Sequence, residues 1–86
     1  MLSVRVEHTD TFAGEPNYGW VHRHEFEAVD NASRRTLVRR AKAECGLTNE
    51  PCDVIEWGDD ITIKPLRLHQ IVFVTCETKE ESSEQD

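Results

Sequence analysis

Leu2, Val4 and Val6 alternate with Ser3, Arg5 and Glu7 at the start of the chain. A period of two places the apolar set on one face of a half-buried strand, and the pattern ends near His8 or Thr9. Alternation resumes at Trp20 and runs to Val29. Trp20, His22, His24, Phe26 and Ala28 share one face, while Val21, Arg23, Glu25, Glu27 and Val29 share the other. These positions predict a second strand antiparallel to the first. Between them, Asp10–Gly19 contains two glycines, a proline and an asparagine. That composition predicts a loop, longer than the roughly 2–5 residues usual in a hairpin.

Asp30-Asn31-Ala32-Ser33 follows, rich in side chains that accept bonds from the first free N–H groups of a helix. The spacing predicts a helix over Arg34–Cys45. At about 100° per residue Leu37, Val38, Ala41 and Cys45 fall on one stripe, which docks on the sheet. Gly46 stands where a left-handed cap would stop the helix, and Leu47 can pack back beneath it. After the connection Thr48–Pro51, Cys52–Trp57 reads as a strand. Gly58-Asp59 or Asp59-Asp60 turns the chain, and Ile61–Leu66 returns as another strand. Pro65 confines the end of that strand to an edge or a terminus. Gln70–Glu77, with the apolar run Ile71-Val72-Phe73-Val74, suits a central strand.

The order is β-β-α-β-β-β. Its natural solution is an α+β fold, a single helix packed on a mostly antiparallel sheet of about five strands. Residues 1–77 read as a single domain. Residues 78–86 are polar, lack large apolar side chains and read as a disordered acidic tail.

Charge sharpens this picture. The formal net charge of −7 is shared between Met1–Glu77, with 13 acidic and 9 basic residues, and a tail with four acids against Lys79. Such a field disfavours nucleic acid and anionic membranes as general partners. No apolar run approaches the ~20 residues of a membrane span. The amino terminus begins an alternating pattern rather than a signal peptide. Cys45, Cys52 and Cys76 form no C-x-x-C pair and fit free, partly buried thiols in a reducing cytoplasm.

Three surfaces stand out. The predicted helix carries Arg34, Arg35, Arg39, Arg40 and Lys42, half of all basic residues. Arg35, Arg39, Arg40 and Lys42 offer a phosphate track for nucleic acid or a dock for an acidic protein; the plainer account is a solvated helix face. Glu50–Asp60 holds Asp53, Glu56, Asp59 and Asp60 with no base, and so makes an acidic hairpin. It could mimic a phosphate array, or simply discourage edge pairing. Phe12, Tyr18 and Trp20, half of the six aromatics, gather in or beside the glycine-bearing loop. Exposed aromatics anchor interfaces, although they can also fold over one end of a small core. Basic helix and acidic hairpin together leave a homodimer open.

Chemistry is sparse by comparison. His22 and His24 lie on one side of a strand at metal-pair spacing, with His8 a further ligand if the hairpin register allows it. Trp20 and Phe26 flank them, which favours packed, hydrogen-bonded histidines. The sequence contains no nucleotide-binding fingerprint and no nucleophile elbow. It therefore reads as non-enzymatic, with no cofactor and no metal; a metal-dependent or enzymatic use of His22 and His24 is the third-ranked function.

The run Asp10-Thr11-Phe12-Ala13-Gly14-Glu15-Pro16-Asn17-Tyr18-Gly19-Trp20-Val21 resembles a segment of short uncharacterised proteins encoded by bacteria and their phages. Arg39-Arg40-Ala41-Lys42-Ala43 and Gly58-Asp59-Asp60-Ile61 are similar to the same group. In size, charge and architecture the chain also resembles anti-CRISPR inhibitors. The resemblance implies a small protein-binding inhibitor and no transferable activity. The leading expectation is an interaction protein that binds and modulates a nucleic-acid-handling protein. In it the acidic hairpin would engage a basic groove and Phe12, Tyr18 and Trp20 would act as anchors. Direct nucleic-acid binding by the basic helix comes second.

Overall fold

The computed structural model describes residues 1–78. The acidic tail expected at the carboxyl end lies, from Lys79 on, outside the described residues. Five strands and one helix follow in the order β1 (Leu2–Phe12), β2 (Glu15–Ala28), α1 (Arg34–Glu44), β3 (Cys52–Trp57), β4 (Asp60–Pro65) and β5 (Gln70–Thr78). The strands form one antiparallel sheet in the order β2-β1-β5-β4-β3. The protein is thus α+β, with α1 on one face. Pro65 ends β4, where the missing N–H interrupts no interior ladder.

Alternation decides which residues meet the helix. Val4 and Val6 of β1, Phe26 of β2, Val72 and Val74 of β5, and Ile61 and Ile63 of β4 form the sheet side of the core. Leu37, Ala41 and Leu47 close it from above. Val38 and Cys45 pack at its margin, so the whole predicted stripe contributes. Ser33 caps the helix by accepting the Thr36 N–H at 3.1 Å. At the other end Gly46 has φ +74°. Its N–H donates to the Ala43 carbonyl and that of Leu47 to Lys42, at 3.2 and 2.7 Å. This pairing satisfies the last carbonyls and turns Leu47 inward.

The loop expected over Asp10–Gly19 is corrected by the structure. β1 and β2 continue through it to a two-residue turn at Ala13-Gly14, where both φ angles are positive. Such turns match the twist of the flanking strands. Gly14 belongs to the turn and Pro16 to the ladder, while Asn17 and Gly19 belong to a bulge. Thr9 pairs with Val21 and Thr11 with Pro16, which leaves Asn17–Trp20 as extra length on β2. Asp10 clasps this extra length. Its carboxylate accepts the Asn17 side-chain amide at 2.9 Å and the Gly19 backbone N–H at 2.7 Å. Tyr18 is held at φ +56° between them, a region that a bulky side chain rarely adopts without such restraint.

These bonds, the Asn17 amide foremost, hold the Asp10 carboxyl below the usual aspartate range. The folded pKa is depressed, so the clasp contributes above the ordinary aspartate pKa and fades as pH falls through the lowered value. The Gly19 amide resonance is expected to titrate with a midpoint below 3.8. A Cβ at Gly19 would stand 2.9 Å from the Asp10 carboxylate and push it out of the clasp, so Gly19→Ala should raise the Asp10 midpoint toward its ordinary value. A wild-type midpoint at that ordinary value would contradict the clasp.

Candidate protein-binding surfaces

The acidic hairpin is the β3–β4 pair, closed by Trp57 opposite Asp60. β3 is an edge strand, and its apolar side chains escape the core on both faces. Val54 is 42%, Ile55 49% and Trp57 80% exposed. Val54 lies on the helix side beside Ile63, while Ile55 and Trp57 lie on the open face beside Thr62 and Asp60. Asp53, Glu56, Asp59 and Asp60 are exposed around them. None of these four carboxylates makes an ion pair or a side-chain hydrogen bond among the described residues.

The open face of the sheet divides in two. One row runs Ile55–Thr62–Phe73–Glu7–Arg23 from β3 to β2. On the β1–β2 side Arg23 pairs with Glu7 at 3.2 Å and Arg5 with Glu77 at 3.6 Å. These exposed pairs cover the sheet with solvated charge and add little stability. On the β3–β4–β5 side Ile55, Trp57 and Phe73 replace them. The uncovered apolar ground therefore adjoins the unpaired edge.

The aromatic set lies elsewhere. Phe12 and Tyr18 are 74% and 54% exposed at the far end of the β1–β2 hairpin. Trp20 turns back, with its ring centroid 4.9 Å from that of His8 and 5.0 Å from that of His22. The register sets this distal turn at the opposite end of the strands from Gly58-Asp59, across the full width of the sheet. The structure therefore does not bring Phe12, Tyr18 and Trp20 together with Asp53, Glu56, Asp59 and Asp60. Sequence reasoning missed Val54, Ile55, Trp57 and Phe73. The sequence reading marks the carboxylates of this hairpin and passes over its apolar side chains, whose exposure depends on which strand ends the sheet.

Much of the basic helix is spent within the fold. Arg34 donates to the Gly58 carbonyl at 2.7 Å and Lys42 to the Glu50 carbonyl at 2.8 Å. Arg40 pairs with Glu44 at 3.2 Å and lies 4.4 Å above the Phe26 ring. Arg35 and Arg39 remain without such contacts among the described residues.

His8 does face His22 across the hairpin, with ring centroids 6.1 Å apart. Its Nε2–H donates to the Gln70 side-chain oxygen at 2.8 Å. Burial lowers its pKa below the ordinary histidine value, against the pull of the Gln70 bond, and His22 and His24 add to the lowering. His24 turns to Glu44 at 3.8 Å. Among the described residues no three His, Cys, Asp or Glu side chains gather as a metal site would require. Burial, followed by the Glu44 carboxylate, pushes the Cys45 thiol up to about 11. Burial raises Cys52 and Cys76 as well, so thiolate chemistry is suppressed. No helix of the described residues is long and apolar enough to cross a membrane.

Comparison with known proteins finds no match to any family model, curated protein or solved structure.

Proposed function

We propose that this protein is an interaction module whose working surface is the β3–β4 hairpin, and that its partner presents a basic surface of the kind that contacts nucleic acid. The single observation carrying this is the edge strand itself, with Val54, Ile55 and Trp57 exposed among four unneutralised carboxylates. Exposed aromatic and aliphatic side chains supply the area that binding buries, and the surrounding charge selects the partner and speeds encounter. Asp53 and Glu56 on the two sides of β3, with Asp59 and Asp60 at the turn, surround this edge with negative charge, so the partner's nucleic-acid groove is the natural target. An inhibitor of such a protein, acting in the cytoplasm in the manner of anti-CRISPR proteins, is the form of this function that the resemblance in size, charge and architecture favours. Direct binding of nucleic acid is less well supported, because Arg34, Arg40 and Lys42 are engaged within the fold.

A pull-down from the native host, read by mass spectrometry, tests the proposal. The wild-type chain is expected to retain a basic nucleic-acid-handling protein. The variant D53N/E56Q/D59N/D60N should bind it roughly tenfold or more weakly, because charge pairs across an interface are worth several kcal/mol together. Recovery of no such protein, or equal retention by the neutralised variant, would sink the idea.

A further inference from the structure

The backbone of β3 points to how this surface is used. Leu66 N–H donates to the Pro51 carbonyl at 2.9 Å, one position beyond the Cys52–Pro65 pair. In an antiparallel ladder the bonded pairs recur at every second residue. Asp53, Ile55 and Trp57 therefore turn their backbone groups toward β4. Cys52, Val54 and Glu56 turn theirs away from the sheet, where no strand follows among the described residues.

Edges of this kind are ordinarily blunted by proline, lysine or a bulge. The opposite edge, β2, has Pro16 and the Asn17–Trp20 bulge. β3 has none of these between Cys52 and Trp57. Its only guards are Asp53 and Glu56, which repel an acidic strand and attract a basic one.

We propose that β3 takes up an extended segment of a partner protein as a sixth strand of the sheet, and that the segment carries arginine or lysine at alternate positions. The proposal rests on the interaction-module function and specifies its mode. Main-chain bonds to Cys52, Val54 and Glu56 supply affinity, and alternate side chains supply selectivity. On the open face Trp57 and Phe73 wall a groove of about 280 Å³ that Thr62 and Asp60 also line. An arginine projecting on that face crosses Ile55, rests its guanidinium on the Trp57 indole and reaches the Asp60 carboxylate. The intervening side chains of the segment meet Val54. A second copy of this chain is a poor occupant, because it would set the same four carboxylates against themselves, an excess that Lys64, opposite Asp53 on β4, does not balance.

The test uses the full chain and a labelled, end-blocked hexapeptide alternating arginine and valine, followed by fluorescence anisotropy. Two companion peptides carry backbone N-methyl groups, one on the arginines and the other on the valines. Only one set of N–H groups faces β3 in a strand pair. One methylation pattern is therefore expected to weaken binding about tenfold or more and the other to change it little. Val54→Pro removes an outward N–H and no β3–β4 bond, so it should weaken binding by a similar factor. Amide exchange at Cys52, Val54 and Glu56 of the wild-type chain should slow when the unmethylated peptide binds.

Equal effects of both methylation patterns, with binding still lost in D53N/E56Q, would overturn strand addition and leave the interaction surface standing. Failure of the peptide to bind at all would overturn strand addition too, with the surface then judged by the pull-down alone. A dimer of this chain that protects the same three amides would replace the proposed occupant with a second copy.

Discussion

Leu37→Ala is expected to lower the stability of this protein by about 2–5 kcal/mol, the range for truncating a buried leucine. Leu37 is 3% exposed and stands at the centre of the helix stripe, between Arg34 on one turn and Ala41 on the next. Leu37 fills the centre of the interface between α1 and the sheet, and among the described residues no other element lies over it to fill the space. A domain of 86 residues has a total stability on the order of 4–13 kcal/mol. The substitution therefore removes a large share of it, although alanine is itself the better helix former. Chemical denaturation monitored by circular dichroism measures the loss. Val38→Ala, at the partly exposed margin of the same stripe, should cost clearly less. A Leu37→Ala loss no larger than that of Val38→Ala would mean that α1 is not docked as described.

Ile63→Ala should be comparably costly, about 2–5 kcal/mol by the same reasoning, but its consequence is directional. Ile63 is fully buried on β4 and is paired with Val54 on one side and Val72 on the other. Among the described residues β4 is the only strand that joins β3 to the rest of the sheet. Loosening β4 therefore frees the edge that carries Val54, Ile55 and Trp57 before it disturbs the β1–β2 hairpin. Amide exchange should accelerate first along Cys52–Pro65, and partner binding should fall with it even though no contact residue has changed. Uniform acceleration across all five strands would contradict this order and indicate that the sheet opens as one unit.

Local pattern was enough for most elements. The stripe of Leu37, Val38, Ala41 and Cys45 predicts both the helix and its buried face, because a 3.6-residue period leaves few alternatives. Ser33 and Gly46 mark its ends through chemistry that operates within a few residues. Cys52–Trp57 matches its strand from end to end, since β-branched and aromatic residues there are bounded by Pro51 and Gly58.

The same local logic fails at Asp10–Gly19. Glycine and asparagine do signal departure from a regular strand: Gly14 marks the turn, and Asn17 and Gly19 mark the bulge. Whether that departure is a loop or a bulge within a continuing hairpin depends on what Asp10 binds. Its partners Asn17 and Gly19 lie across the strand pair. A composition window contains all three residues but not their geometry. The aromatics illustrate the same limit: Phe12 and Tyr18 stay outside as an anchor reading requires, while Trp20 packs against His8 and His22.

By itself, then, the sequence determined the α+β class, the helix with its caps and docking stripe, the separation of a basic helix from an acidic hairpin, and the partly buried character of the cysteines. Each follows from periodicity, capping or composition within short stretches of chain. Only the tertiary structure decided which strand would be left at the edge. Long-range pairing of β1 with β5 and of β5 with β4 places β3 last, and no local pattern encodes that order. It is this placement that leaves Val54, Ile55 and Trp57 exposed and Cys52, Val54 and Glu56 facing outward. The same strand order sets the aromatic turn at the far corner of the sheet, away from the acidic edge.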